Sequence, residues 1–308
     1  MKLSIVTTLY KSEATVAAFV ARATAAAHAI TDDYEIVMVD DGSPDRSLEI
    51  AIGLVGSNPH LRVVELSRNF GHHKALMTGL QQAKGDYCFL IDSDLEEAPE
   101  LLGSFWEILH SEDKDVVYGM QERRAGSLFR RWTGAIAYRV FDWLLAAKIP
   151  TNHLTVRLMR RNYVDALLLH RETQLIIGGL WAITGFRQLG QRVDKTVKVG
   201  TTYRPMQLWS IFLDSITNFS AKPLVAIFYV GLLIFMTSMA VSLWLLFRWA
   251  AYGVSVEGWV SVMLSVWVLG GLAILFIGVI GIYLSKIFLE TKGRPLSIIR
   301  LIHGNGHQ

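Results

Sequence analysis

The 308-residue chain is 52% hydrophobic, carries a formal net charge of +3, and has a mean hydropathy of +0.34. It is too apolar for an ordinary soluble enzyme and too weakly basic to require a nucleic-acid partner, and no nucleic-acid motif appears. The single cysteine, Cys88, excludes an intrachain disulfide and suits a reducing compartment.

Met1-Lys2-Leu3-Ser4-Ile5 opens directly into a strand-like run, without a signal-peptide pattern. Residues 3–8 read as a strand, and an alanine-rich helix follows over roughly 13–30. A second strand, 35–39, ends in Asp40-Asp41-Gly42-Ser43. Pro44 starts a helix through about Val55. Strand 61–66, helix 71–83, strand 86–91, helix 99–110 and strand 115–118 come next. Alternating strands and helices predict an α/β fold with a largely parallel sheet, in which ligands bind at the carboxyl ends of strands. Asp40, Asp41, Asp92 and Asp94 all fall at such ends.

The run Tyr87-Cys88-Phe89-Leu90-Ile91-Asp92-Ser93-Asp94 carries the sharpest signal. A buried strand feeding two acids one residue apart can hold a divalent ion on oxygen ligands, shared with a nucleotide diphosphate. The competing reading is a solvated acidic turn.

Residues 121–147 mix Arg123, Arg124, Arg130, Arg131 and Arg139 with aromatics and read as partly helical. A short helix is expected over 162–170, and an irregular, packed loop over 178–190. Residues 205–222 place Leu208, Phe212, Ile216 and Phe219 on one stripe, as in an amphipathic helix lying in a membrane interface. Two uncharged stretches follow, Pro223–Phe247 and Trp259–Ser285. Each is long enough as a helix to cross a hydrocarbon core of roughly 30 Å. Gly270, Gly271, Gly278 and Gly281 suit close helix packing there. Lys222, Lys286, Lys292, Arg294 and Arg300 flank the pair. By the positive-inside rule they place the soluble domain and the C-terminus on the cytoplasmic side of the inner (plasma) membrane.

These residues resemble a known family. The opening Val6-Thr7-Thr8-Leu9-Tyr10, the Val39-Asp40-Asp41-Gly42-Ser43 turn and Leu66-Ser67-Arg68-Asn69-Phe70-Gly71 carry the likeness. So do Asp92-Ser93-Asp94-Leu95-Glu96-Glu97 and Leu289-Glu290-Thr291-Lys292-Gly293-Arg294-Pro295. Their order, with the two apolar spans, is similar to polyprenyl-phosphate glycosyltransferases of family 2, related to dolichyl-phosphate mannose synthase and bactoprenol glucosyltransferases.

The resemblance implies a GT-A (Rossmann-like) domain over 1–204, an interfacial helix over 205–222, two transmembrane helices over 223–289 and a cytoplasmic tail over 290–308. It implies inverting transfer of a sugar from a nucleotide-sugar, expected to be UDP-linked, to undecaprenyl phosphate, for cell-surface glycan synthesis. Asp41 would contact the nucleoside, with Asp40 supporting the turn and Arg68 beside the donor. Asp92 and Asp94 would place Mg²⁺ or Mn²⁺ against the diphosphate, with Glu96 and Glu97 as secondary acids. Homo-oligomers are expected, as relatives self-associate.

The chain departs from the family pattern in three places. Thr8-Leu9-Tyr10-Lys11-Ser12 replaces the usual Pro-Val-Tyr-Asn-Glu, and Glu13 is the nearest substitute acid. His72-His73 replaces Lys-Glu and, with Lys74, suggests anion contact. Thr155-Val156-Arg157-Leu158 lacks the acid of Asp-Phe-Arg-Leu but keeps its arginine. A phosphate monoester is largely a dianion at neutral pH, so it attacks without a general base and needs cationic positioning instead. Arg157 is the first candidate for steering the acceptor phosphate, and Arg123, Arg124, Arg130 and Arg131 are the others. Two rivals remain. A processive polysaccharide synthase would need Gln where Leu128 precedes Arg131-Trp132. A catalytically silent membrane subunit, binding a partner transferase or flippase, would fit the missing acid.

Overall fold

A computed structural model describes residues 2–121, 153–172, 177–193, 222–252 and 258–304. The first of its two units is built on one eight-stranded mixed sheet. In chain order the strands are β1 (Leu3–Leu9), β2 (Tyr34–Asp40), β3 (Leu61–Leu66), β4 (Tyr87–Leu90), β5 (Val116–Gln121), β6 (His153–Arg160), β7 (Gln188–Val193) and β8 (Ile299–His303). Their order across the sheet is β7-β5-β6-β4-β1-β2-β3-β8. The central strands β3, β2, β1 and β4 are parallel. β6 runs antiparallel to β4 and β5, and β8 antiparallel to β3.

The helices of this unit are α1 (Val16–His28), α2 (Ser47–Val55), α3 (His72–Gln82), α4 (Leu101–Ser111), α5 (Arg161–Leu168) and α6 (Ile177–Ile183). α1 forms from a run of good helix formers and buries Val16, Phe19, Val20, Ala23 and Ala27, a spacing of three and four that makes one apolar stripe. Alternation along the strands splits the core in two. Phe89 and Ile91 join the layer with Phe19 and Phe105, while Cys88 and Leu90 join that with Leu76, Met159 and Tyr163. Each such fully buried side chain contributes roughly 1.5–3 kcal/mol. Cys88 belongs to this apolar layer, and burial pushes its thiol up to about 12.

A polar cluster closes the sheet at the end away from the acidic turns. Glu35 Oε1 accepts from Ser4 Oγ and the Lys84 N–H, each at 2.7 Å, and Glu35 Oε2 accepts from Arg62 at 3.0 Å. Arg62 also donates to the Gln82 carbonyl at 2.6 Å.

Two expectations from the sequence differ from the structure. Residues 178–190 form most of α6 and the start of β7 rather than an irregular loop. Gly178, which argued against a helix, is there for packing: a Cβ on it would stand 2.6 Å from His153 Nε2. Tertiary fit overrides the low helix propensity. The C-terminal segment, expected as a tail, supplies β8 as the sheet's outer strand. Arg300 and His303 reach the Glu65 carboxylate at 2.9 and 3.2 Å, and Ser297 Oγ lies 2.6 Å from Thr78 Oγ1. Short polar-apolar mixtures such as Ile299-Arg300-Leu301-Ile302-His303 acquire a strand's identity only from the edge they pair with.

The second unit contains two long helices, α7 (Lys222–Tyr252) and α8 (Trp259–Thr291). Within them Leu224–Val241 and Ser265–Thr291 each reach a mean hydropathy of 2.4, long and apolar enough to cross a membrane. The segment 205–221 and Arg123, Arg124, Arg130, Arg131 and Arg139 lie outside the described residues.

Candidate active site

The acidic residues meet where β1, β2 and β4 end. β2 delivers Asp40 and Asp41 into a turn that needs Gly42. That glycine has φ +62°, and a Cβ there would stand 2.6 Å from the Asn69 nitrogen. The loop after β3 therefore packs directly on the turn. Asp41 locks the two together, Oδ1 accepting from the Phe70 N–H at 2.7 Å and Oδ2 from the Gly71 N–H at 3.0 Å.

Asp40 is 2% exposed. Its carboxylate accepts from the Ser43 N–H at 3.3 Å, but among the described residues its buried Oδ1 has no partner. Burial, helped by nearby Glu65 and Asp41, pushes its carboxyl up to about 6. Asp41 ties the turn, and Asp40 holds the unsatisfied acceptor. Arg68, on the same loop, lays its guanidinium 4.2 Å from the Phe70 ring centroid and donates to the Asn69 carbonyl at 3.1 Å.

The turn after β4 is pinned from its middle. Ser93 is buried, donates to the Thr8 carbonyl at 2.7 Å, and lies 3.1 Å from Ser12 Oγ. Asp92 and Asp94 on either side are partly exposed. Asp94 Oδ1 accepts from the Glu96 N–H at 3.0 Å. Leu95 follows at φ +61°, a conformation L side chains rarely adopt, and packs on the core. Glu97 is buried. His72, at the start of α3, lies 3.1 Å from Thr8 Oγ1 and 3.5 Å from Asp92 Oδ1. Burial lowers its pKa, against the pull of Asp41 and Asp94.

Sequence reasoning missed Ser93, Ser12 and Asp45. Asp45 accepts from Ser43 and Ser47 hydroxyls at 2.5 and 2.6 Å and from the Glu13 N–H at 3.2 Å. Burial opposes its ionisation, but these donors outweigh it and hold the carboxyl near 2. The signal available was the run Asp40–Ser47, five of whose eight residues are Asp or Ser.

No group of three or more His, Cys, Asp or Glu positioned for a metal occurs among the described residues. Asp92 and Asp94 offer two hard oxygen ligands, which fits an ion that completes its shell from phosphates and water. Such a donor set suits Mg²⁺ or Mn²⁺.

Arg157 lies on β6, paired with Leu90 of β4 and Tyr118 of β5. Thr155, two residues before it, and Asp92, two residues after Leu90, leave this pairing at the same end. Arg157 is 1% exposed. It donates to the Thr155 and Leu154 carbonyls, each at 3.2 Å, and its guanidinium carbon lies 3.0 Å from the Trp181 ring centroid. Burial lowers it to about 9, so it is still cationic at neutral pH.

A sheet of this order with carboxylates gathered at the ends of parallel strands is the GT-A glycosyltransferase fold. Residues 4–168 match glycosyl transferase family 2, and the chain belongs to that family. A relative from Mycobacterium tuberculosis described as a putative glycosyltransferase is 50% identical over 305 residues, covering 99% of this chain and 89% of its own. A bactoprenol glucosyl transferase of Shigella phage SfX is 29% identical over 302 residues, covering 97% and 99%. Among solved structures, the mannosyltransferase PcManGT from Pyrobaculum calidifontis, in complex with GDP-Man and Mn2+, aligns over 94% of this chain and 86% of its own. It does so at 16% identity and a TM-score of 0.49.

Proposed function

We propose that the protein moves a sugar, with inversion, from a nucleotide-sugar, UDP-linked by preference, to a polyprenyl phosphate at the cytoplasmic face of a plasma membrane. The observation that carries this reading is the pinned Asp92-Ser93-Asp94 turn beside the unsatisfied Asp40 carboxylate. Asp92 and Asp94 would hold Mg²⁺ or Mn²⁺, which when bound would offset charge on the departing diphosphate. Asp40 accepts an N–H from the nucleoside, while Asp41 keeps the Phe70–Gly71 loop against it. Arg68 faces the donor from that loop.

An acceptor phosphate oxygen forms the new bond to the anomeric carbon. The bond to the nucleoside diphosphate breaks, and its electron pair leaves with that group. No proton need be removed from a phosphate dianion, so Thr155 in place of an acid is compatible with the reaction. Arg157 assists by its charge near the end of β6, and Arg123, Arg124, Arg130 and Arg131 remain candidates for direct contact with the lipid phosphate. Similarity to bactoprenol glucosyl transferases supports the lipid acceptor.

The test is transfer of label from radiolabelled nucleotide-sugars to undecaprenyl phosphate in detergent, with Mg²⁺ or Mn²⁺ and with Asp94→Ala as control. A lipid-soluble, metal-dependent product absent from the control is expected. Absence of both product and donor binding would overturn the reading in favour of a silent subunit.

A further inference from the structure

Beside the end of β6 lies a pocket of about 220 Å³ lined by residues that include Tyr118, His153, Arg157, Trp181, Phe186 and Gln188. Its chemistry is one-sided. Arg157 is a buried cation, and among the described residues no carboxylate lies within ion-pair distance of it; it meets the Thr155 and Leu154 carbonyls, the Tyr163 hydroxyl and the face of the Trp181 ring. Trp181, 5% exposed, carries a buried indole N–H with no acceptor among the described residues. An uncompensated buried guanidinium and an unused buried donor each cost free energy unless something completes them. Both are donors only, and an indole N–H cannot accept.

The pocket is also a built one. Trp181 is fixed through its carbonyl, which accepts from Tyr163 Oη at 3.1 Å and from Gln188 Nε2 at 2.7 Å. The His153 ring meets Trp181 edge-on at 5.5 Å and occupies the space left by Gly178. By alternation His153, Thr155 and Arg157 share a face of β6, and this strand passes the end of β4 that carries Asp92.

We propose that this pocket binds a single oxyanion, a phosphate or a carboxylate, held by the Trp181 indole N–H and the Arg157 guanidinium. Two parts of the reaction's substrates can bring that group: the phosphate of the lipid acceptor, or an acidic substituent on the donor sugar. The assignment of these sources rests on the function proposed above; the anion site itself does not.

The experiment uses the full chain in detergent and measures binding by thermal shift for two matched pairs. One is undecaprenyl phosphate against undecaprenol; the other is UDP-glucuronate against UDP-glucose. Trp181→Phe keeps the ring and removes only the donor. Arg157→Met removes the charge and keeps much of the volume. Wild type should prefer the anionic member of one pair, and Trp181→Phe should lose about tenfold of that preference, as expected for a charge-assisted hydrogen bond. UDP binding should stay unchanged in Trp181→Phe. A preference in the first pair assigns the lipid phosphate, and one in the second assigns a sugar acid. The proposal is overturned if wild type shows no preference in either pair, or if a folded Trp181→Phe keeps the wild-type preference. Should Arg157→Met fail to fold, Trp181→Phe still decides. Absent sugar transfer with the anion preference intact would reject the proposed reaction and leave this site standing.

Discussion

Ser93 donates its hydroxyl to the Thr8 carbonyl at 2.7 Å, joining the turn after β4 to the end of β1. The middle residue of the acidic triplet therefore faces inward, and Asp92 and Asp94 are left partly exposed on either side. Replacing Ser93 by Ala leaves a buried carbonyl without its donor, at a cost of about 1–3 kcal/mol. We expect a lower melting temperature and weaker Mn²⁺-dependent binding of a nucleotide-sugar, with metal-independent nucleotide binding less affected. Thermal melts and equilibrium binding with and without Mn²⁺ check this.

Asp40 is held at about 6 by burial, above its ordinary 3.8. The folded protein therefore binds a proton that the unfolded chain has released between these values. This contribution is fully present below about pH 4, is lost as the pH rises to about 6, and stays lost above. Asp40→Asn has no such proton to lose. It should match wild type in stability near pH 4 and exceed it at pH 7 by up to about 3 kcal/mol, while binding donor more weakly. Urea unfolding at the two pH values, with donor titration, gives the comparison; an equal stability difference at both would refute it.

Glu35 and Arg62 form a buried ion pair at 3.0 Å, at the end of the strands away from the acidic turns. Glu35→Ala strands the Arg62 charge and removes the acceptor for Ser4 Oγ and the Lys84 N–H. A loss of about 3–5 kcal/mol is expected. Activity per folded molecule should be unchanged, because no side chain of the site touches this cluster. Denaturation curves and specific activity, corrected for the folded fraction, test both halves.

The β8 edge gives a pair of contrasting expectations. Arg300 meets Glu65 at 2.9 Å with a side chain 67% exposed, so Arg300→Ala should change stability by less than about 1 kcal/mol. Gly304 has φ +105°, and a Cβ there would stand 2.5 Å from the Leu61 carbonyl oxygen. Gly304→Ala must move backbone, and should cost more than about 1 kcal/mol. Urea midpoints of the two variants should rank in that order.

The central part of the fold was legible because β1 to β4 are buried on both faces and read as apolar runs, each followed by a helix with its own stripe. The acids were legible because strand ends in such sheets face the ligand crevice. Their hydrogen-bond partners were not. Asp40 and Asp41 are adjacent in sequence, and only the approach of the Phe70–Gly71 loop decides that Asp41 is consumed in holding the turn. β8 was illegible for a similar reason, since five residues of mixed polarity become a strand only against the exposed edge of β3. The glycines of α6 read as loop signals until His153 is seen filling the space above Gly178.

By itself the sequence determined a GT-A sheet, the acids at its strand ends and two apolar helices, because periodicity, turn chemistry and hydropathy are local properties written in neighbouring residues. Tertiary structure alone decided which carboxylate keeps an open oxygen, where the chain's last strand closes the sheet, and that Arg157 is buried against Trp181. Those outcomes depend on contacts between residues far apart in the chain, where burial and a missing partner set the free energy of each group.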